Sequence, residues 1–324
     1  MSEPRPAWLK GPGDRLPGGD WFVEFFSPGE FHAHRVKKII GSSRTAFQEA
    51  ALVETDAFGE VLIIDGETQS SRLDEAFYHE TLVCPALLLH RRPRSALVLG
   101  GGEGATAREL LNCRTMERVV MADIDHNVLR FAAEKLGAWH RGAFADPRLS
   151  LAVQDAARLV RSASEKFDLV IADLPSPIEK GPAWKLYTLE FYREVKRLLA
   201  PGGIFVTQAG PGTPLQFGLH CALARTLRRV FGRVASGAAF IPSYDMPWTF
   251  LFCSDAAPAP ASAAPAALDR AAAARLRRPM RFHDGASISA AFRLPKYYNM
   301  RIAERGAPAT RSRPVFFTTS RRSR

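Results

Sequence analysis

The sequence predicts an α/β protein: a doubly wound, Rossmann-like sheet preceded by a small N-terminal antiparallel β domain. Two observations carry this expectation. From Ser95 onward, strand-sized apolar runs alternate with helix-forming stretches, the rhythm of parallel strands joined by right-handed crossovers. Before that, residues 21–71 have a β-like pattern, with Asp56 and Gly59 as turn residues between two of the runs.

Taken in order, residues 1–20 hold four prolines and four glycines and predict a flexible arm. Residues 21–72 form the β domain, with strands predicted at 31–40, 46–55 and 60–66. Residues 73–255 form the sheet domain. It opens with a helix that Asp74 caps and that Pro85 is expected to kink or end. Strands are predicted at 95–100, 117–123, 149–154, 167–173 and 202–208. Helices are predicted at 105–114, 126–138, 155–163, 188–200 and 214–231. Residues 233–241 and 248–254 read as an antiparallel hairpin at the sheet edge. Residues 256–324 read as an Ala/Pro-rich linker and a basic C-terminal tail.

The chain has 324 residues, 46% of them apolar, and a formal charge of +11. Much of that charge lies near the end, at Arg275, Arg277, Arg278, Arg281, Arg311, Arg313, Arg321, Arg322 and Arg324. No aromatic-interleaved basic motif accompanies it, so specific nucleic-acid binding is not expected. The apolar runs are strand-sized and the N-terminus is polar, which predicts no membrane span, no signal peptide and a cytoplasmic protein. Cys84, Cys113, Cys221 and Cys253 are widely spaced and predict buried thiols, with neither disulfide nor metal site.

The chemistry gathers around Gly100, Gly102 and Gly104. This G-x-G-x-G turn joins a buried strand to a helix whose free N–H groups face the loop, a place for a small cofactor. Acids stand at four strand ends: Glu103 in the glycine turn, Asp123 with Asp125 behind it, Asp155, and Asp173. Ligands of open α/β sheets bind at the carboxyl ends of the strands. Asp123 is placed to accept ribose hydroxyls, against the alternative of capping the helix near Asn127. Asp155 is placed to read an adenine amino group and is equally a good helix cap. The loop suits an S-adenosylmethionine-type ligand as well as a dinucleotide. Asp173 and Glu103 make a cation-attracting pocket, and Asp173 is the candidate general base toward an amine that arrives protonated.

Motifs in order along residues 21–255 resemble the polyamine aminopropyltransferases, the spermidine and thermospermine synthases. They are Leu62–Ser71, Asp74–Glu80, Gly100–Thr106, Asp123-Ile124-Asp125, Gly142–Arg148, Leu186–Tyr192, Pro201-Gly202-Gly203 and Ile241–Tyr244. His283-Asp284-Gly285, Leu294–Tyr297 and Glu103 within the glycine loop resemble the thermospermine-type branch. The resemblance implies a Rossmann-like sheet of the class I methyltransferase type. It also implies transfer of the aminopropyl group of decarboxylated S-adenosylmethionine to an amine, with methylthioadenosine released and no metal. By the same resemblance, Gln48, Gly100, Gly102, Asp123, Asp155, Ala156 and Pro182 hold the nucleoside co-substrate. Tyr78, His79, Glu103, Ser176, Gln208 and Tyr244 line the acceptor end, Asp173 is the base, and the chain forms a homodimer or homotetramer.

One departure matters. The family usually has a second aspartate three residues after the base, and here that position is Ser176. Losing a charge-assisted bond there costs about 1.5–3 kcal/mol, or roughly tenfold to a hundredfold in affinity for a cationic amine. Trp184 and Lys185 nearby are also unfavourable to a polycation. Either the acceptor carries one fewer positive charge at that point, or it is not a standard polyamine. Two other readings follow: a methyltransferase or other group transferase on the same nucleoside fold, and a non-catalytic nucleoside- or polyanion-binding protein. The four intact acids argue against the last.

Overall fold

A computed structural model describes residues 18–317 apart from Pro28 and Lys180. The expected arm at 1–20 and the last arginines of the tail therefore fall largely outside the described residues.

Five strands form the first sheet in sequence order: β1 (Asp20–Ser27), β2 (Glu30–Arg44), β3 (Glu49–Thr55), β4 (Gly59–Ile64) and β5 (Glu67–Ser71). In β3, Ala50 and Leu52 face one apolar cluster and Val53 another, with partners in β4 directly opposite. β4 and β5 are joined by Asp65 and Gly66, both at positive φ (51° and 74°). An Asp-Gly pair in this conformation matches the right-handed twist of the flanking strands. The strand predicted at 60–66 ends at this turn as β4, and neither β5 nor β1 is among the predicted strands.

Helix α1 (Glu75–Leu89) follows, buried along most of its length, and it continues through Pro85 without ending there. Asp74 does not cap it through its side chain. The carboxylate instead accepts Ser71 Oγ (2.6 Å), Ser243 N (2.6 Å) and Ser243 Oγ (3.0 Å), locking the start of the helix to a distant turn. An aspartate before a helix looks like a cap in sequence. Here two serines and a backbone N–H from elsewhere compete for it.

The second sheet is built from β6 (Ser95–Gly100), α2 (Ala105–Leu111), β7 (Arg118–Asp123), α3 (His126–Lys135), α4 (Gly137–His140), β8 (Leu149–Val153), α5 (Ala156–Ser162), β9 (Phe167–Asp173), α6 (Leu189–Arg197), β10 (Leu199–Pro211), α7 (Gly218–Leu227), β11 (Arg233–Ile241) and β12 (Met246–Ser254). The spatial order is β11-β12-β10-β9-β6-β7-β8. Strands β6 to β10 pair in parallel, and β12 pairs antiparallel with both β10 and β11. Strand order reverses between β6 and β9, where Gly100 and Asp173 are partners. That reversal opens the ligand crevice of a doubly wound sheet. The central strands are apolar throughout because both faces are covered: Ala96 and Val98 pack into one cluster, Leu97 and Leu99 into another.

Residues 256–317, expected as linker and loosely patterned tail, are packed structure. They hold α8 (Pro265–Arg275), α9 (Gly285–Ala291) and α10 (Lys296–Ala303). Pro265 stands at the first turn of α8, where its missing N–H costs nothing, and an alanine run continues it. Leu268, Leu276, Ile288 and Phe292 join the core on one face of the sheet, Ile302 and Phe317 on the other. Arg275 donates to the carbonyls of Leu87, Leu88 and His90 and so caps the C-terminus of α1. None of the described helices is long and apolar enough to cross a membrane.

Candidate functional site

The site grows from the glycine turn. Gly100 lies at φ 80°, and a Cβ there would stand 2.2 Å from the Asp173 carbonyl oxygen. Gly101 N donates to that same oxygen at 2.9 Å. Only glycine lets the end of β6 approach the end of β9 this closely. A Cβ on Gly102 would stand 2.8 Å from Asp123 Oδ2, so the turn also presses on the β7 carboxylate. Gly104, at φ 81°, precedes α2 and packs against His140 and Phe144. Gly100 and Gly102 thus bring two predicted site acids to one rim.

Asp123 is mostly buried, and burial pushes its carboxyl pKa up. Its Oδ1 accepts Asp125 N at 2.9 Å. The helix cap weighed for Asp123 is supplied by Asp125, which accepts Asn127 N and Val128 N. Asp125 also takes Thr45 Oγ1 (2.5 Å) and Gln48 Nε2 (3.3 Å), so Gln48 from the first sheet does reach this rim. Asp155 is exposed and caps α5 by accepting Arg158 N at 2.9 Å, with Ala156 buried behind it. Pro182 begins a short 3-10 turn to Tyr187; its side chain lies outside what is described.

Asp173 receives two hydroxyls: Tyr78 donates to Oδ1 at 2.8 Å and Thr106 to Oδ2 at 2.6 Å. Burial, then the Asp173 charge, raises the Tyr78 pKa well above 10, so Tyr78 stays a donor. Glu103 lies within electrostatic reach of Asp173. Its Oε1 is 2.5 Å from His79 Nε2, while His79 Nδ1 faces the Glu75 carbonyl (2.7 Å) and Glu75 Oε2 (3.1 Å). Both ring nitrogens therefore face carboxylate or carbonyl oxygens, an arrangement that favours a doubly protonated ring with two donors. Burial alone would lower the His79 pKa, but Glu103 and Glu75 hold it well above 6.5. Burial pushes the Glu103 carboxyl up despite His79. Glu75 is in turn clamped by Arg108 (2.8 Å) and by Arg281 from the C-terminal segment. Burial works against the Glu75 charge, yet His79 and Arg108 keep its pKa far below the usual carboxylate range.

Two residues expected on the acceptor side, Gln208 and His79, bond to protein groups. Gln208 Nε2 donates to Leu174 O (2.8 Å) and Tyr187 OH (2.7 Å), and its Oε1 accepts Gly210 N (2.8 Å) and Trp248 Nε1 (3.2 Å). With no donor or acceptor to spare, it braces the loop after Asp173. His79 likewise turns both nitrogens to protein groups, with Glu103 on Nε2 and Glu75 on Nδ1. Tyr244 donates to Gln69 O, and its ring stands edge-on to Trp248 at 5.2 Å, within electrostatic reach of Glu103 and Asp173. Ser176 is half-buried and has no hydrogen-bond partner among the described residues.

Thr106 and Tyr187 were missed as site-supporting residues. Tyr187 OH donates to the carbonyls of Leu174 and Pro175. Both lay inside motifs already noticed, but nothing in a sequence says which hydroxyl of a motif points at the acid. The four cysteines are buried free thiols. Among the described residues, no three His, Cys, Asp or Glu side chains gather into a group that could hold a metal ion.

Comparison with known proteins gives the family and the fold. Residues 75–262 match the spermine/spermidine synthase domain, and residues 20–72 match the spermidine synthase tetramerisation domain. A polyamine aminopropyltransferase from Aeropyrum pernix is 43% identical over 298 residues, covering 91% of this chain and 95% of that protein. One from Sulfolobus acidocaldarius is 40% identical over 297 residues, covering 91% and 97%. Among solved structures, spermidine synthase from Thermotoga maritima superposes with a TM-score of 0.79 at 23% identity, over 90% of this chain and 99% of that one. A spermidine synthase in complex with the transition-state analogue AdoDATO gives 0.81 at 24%, over 90% and 99%. The chain belongs to the polyamine aminopropyltransferases, the spermine/spermidine synthase family.

Proposed function

We propose that this chain transfers the aminopropyl group of decarboxylated S-adenosylmethionine to an amine and releases methylthioadenosine. The observation that carries the reading is Asp173, held at the sheet's reversal point by Gly101 N at its backbone and by Tyr78 and Thr106 at its carboxylate. An acceptor amine arrives as a cation and cannot attack until it loses a proton. Asp173 takes that proton. The amine nitrogen then forms a bond to the methylene beside the sulfonium, and the carbon–sulfur bond breaks with its electrons going to sulfur. The leaving group starts with a positive charge and departs neutral, so the step asks mainly for alignment and proton removal. Asp123, Gln48, Asp155 and Ala156 are the candidates to hold the nucleoside, with Glu103 and Tyr244 beside the amine. Ser176 leaves one charge fewer on the acceptor side than the family pattern, which favours an acceptor with one fewer cation at that point.

Incubation with decarboxylated cofactor and a panel of di-, tri- and tetra-amines, followed by mass spectrometry, tests the reading. One or more amines should gain an aminopropyl unit. Asp173→Asn should lower kcat by roughly 10²–10⁴-fold, and unchanged turnover would remove Asp173 from the base role. Methylated products from intact S-adenosylmethionine would favour the methyltransferase alternative. The first sheet, which carries the tetramerisation-domain match, is the proposed surface of a homodimer or homotetramer; Phe25, Phe31 and Ile39 are exposed large apolar side chains of its strands, and Phe47 one of the β2–β3 turn.

A further inference from the structure

After Asp173 the chain passes through Leu174, Pro175, Ser176 and Pro177 before returning at Tyr187. Three carbonyls of this stretch are tied down. Leu174 O accepts Gln208 Nε2 (2.8 Å) and Tyr187 OH (3.2 Å), and Pro175 O accepts Tyr187 OH (3.1 Å). The third, Pro177 O, accepts Phe317 N at 2.6 Å from the far end of the chain. That end reaches the loop along a fixed path. Ala309 N donates to Thr226 Oγ1 (2.8 Å), Leu189 N donates to Ala309 O (2.8 Å), and Arg311 N donates to Glu190 Oε2 (3.2 Å). Phe317 is buried in the same apolar cluster as Leu174, Ala183 and Tyr187, and Val315 packs against it. The Phe316 ring stands edge-on to Trp184 at 6.3 Å.

Ala183 aside, the described side chains between 178 and 185 are exposed or half-buried, and they borrow their order from what touches them. Ser176 lies between the carbonyls held by Tyr187 and by Phe317, so its position relative to Asp173 depends on both anchors. We infer that Phe316 and Phe317 are positioning residues for the amine acceptor: the C-terminal strap fixes the loop that carries Ser176 beside the proposed base. This rests on the reading that the acceptor sits at Asp173.

The test compares the full-length enzyme with three variants: a chain ending at Arg313, a chain ending at Phe317, and Phe316→Ala. The chain ending at Arg313 should raise the acceptor KM about tenfold with kcat changed less than about twofold. Trypsin cleavage at the exposed Lys185 should quicken by a similar factor, because cleavage tracks loop opening. Phe316→Ala should shift both readouts in the same direction, and it keeps the test open should the truncated chain fail to fold. The chain ending at Phe317 should match the full chain. An unchanged acceptor KM and cleavage rate in the first and third forms overturns the inference. So does a parallel loss of kcat, donor affinity and melting temperature, which would make the strap a general part of the fold. Undiminished turnover of Asp173→Asn would defeat the base assignment alone, and the strap would still be judged by KM and cleavage.

Discussion

His79 shows how a residue's partners decide its role. With Glu103 on one nitrogen and Glu75 on the other, the ring is a buried cation between two carboxylates. His79→Gln would leave Glu103 buried without its counter-charge, at a cost of about 3–5 kcal/mol by the usual loss on breaking a buried pair. The pH dependence has a definite sign. A histidine whose folded pKa stands above 6.5 stabilises fully below 6.5, and that contribution fades as pH rises through the folded value. Denaturant midpoints measured from pH 6 to pH 9 should fall on the alkaline side for the natural chain, and this fall should be smaller for His79→Gln. A common slope in the two proteins would contradict the charged-ring assignment. The acids Asp123, Glu103 and Asp173 were legible in sequence because strand ends in such sheets point at ligands. Gln208 was not, since an amide satisfied by four protein groups and an amide offered to substrate have the same letter.

At the scale of elements, the glycine turn separates two kinds of constraint. Gly100 combines positive φ with a backbone oxygen 2.2 Å from its absent Cβ, so no side chain fits without moving β9. Gly102 has only the end of the Asp123 side chain in its way, at 2.8 Å. Gly102→Ala should therefore fold, with a melting temperature within a few degrees of the natural chain, but displace the Asp123 carboxylate. Calorimetric titration should show donor affinity weakened roughly tenfold, the worth of about one good hydrogen bond; unchanged affinity would place the nucleoside elsewhere. The alternation of strand and helix from Ser95 was readable because apolar period and glycine or proline punctuation coincide there. Two kinds of element were not. β5 hid behind an Asp-Gly turn read as the end of a strand, and α8 hid in an alanine-rich run with no apolar stripe to announce it.

Over the whole molecule, charge and burial set the conditions in which the fold survives. His220 and His283 are buried and neutral, with burial lowering their pKa values to about 3 and about 4. Below pH 6.5 the unfolded chain binds protons that the folded chain refuses. Stability present above 6.5 should thus be lost as pH falls, by about 2 kcal/mol per histidine between pH 6.5 and 5. Urea midpoints at those two pH values check this, and a flat profile would mean that the rings are solvated. The first sheet exposes Ile39 at 70% of its surface. Ile39→Lys should shift the molecular mass by light scattering toward a monomer, and an unchanged mass would move the interface off this strand. The packing of residues 256–317 onto both faces of the sheet was invisible in sequence because its contacts are scattered single side chains such as Leu268, Ile288 and Phe317. What leaves the enzyme is read by product analysis. With decarboxylated S-adenosylmethionine and the amine panel, mass spectrometry should find an aminopropylated amine and an equal amount of methylthioadenosine. Neither product with any amine, or methyl transfer from intact S-adenosylmethionine alone, would contradict the account.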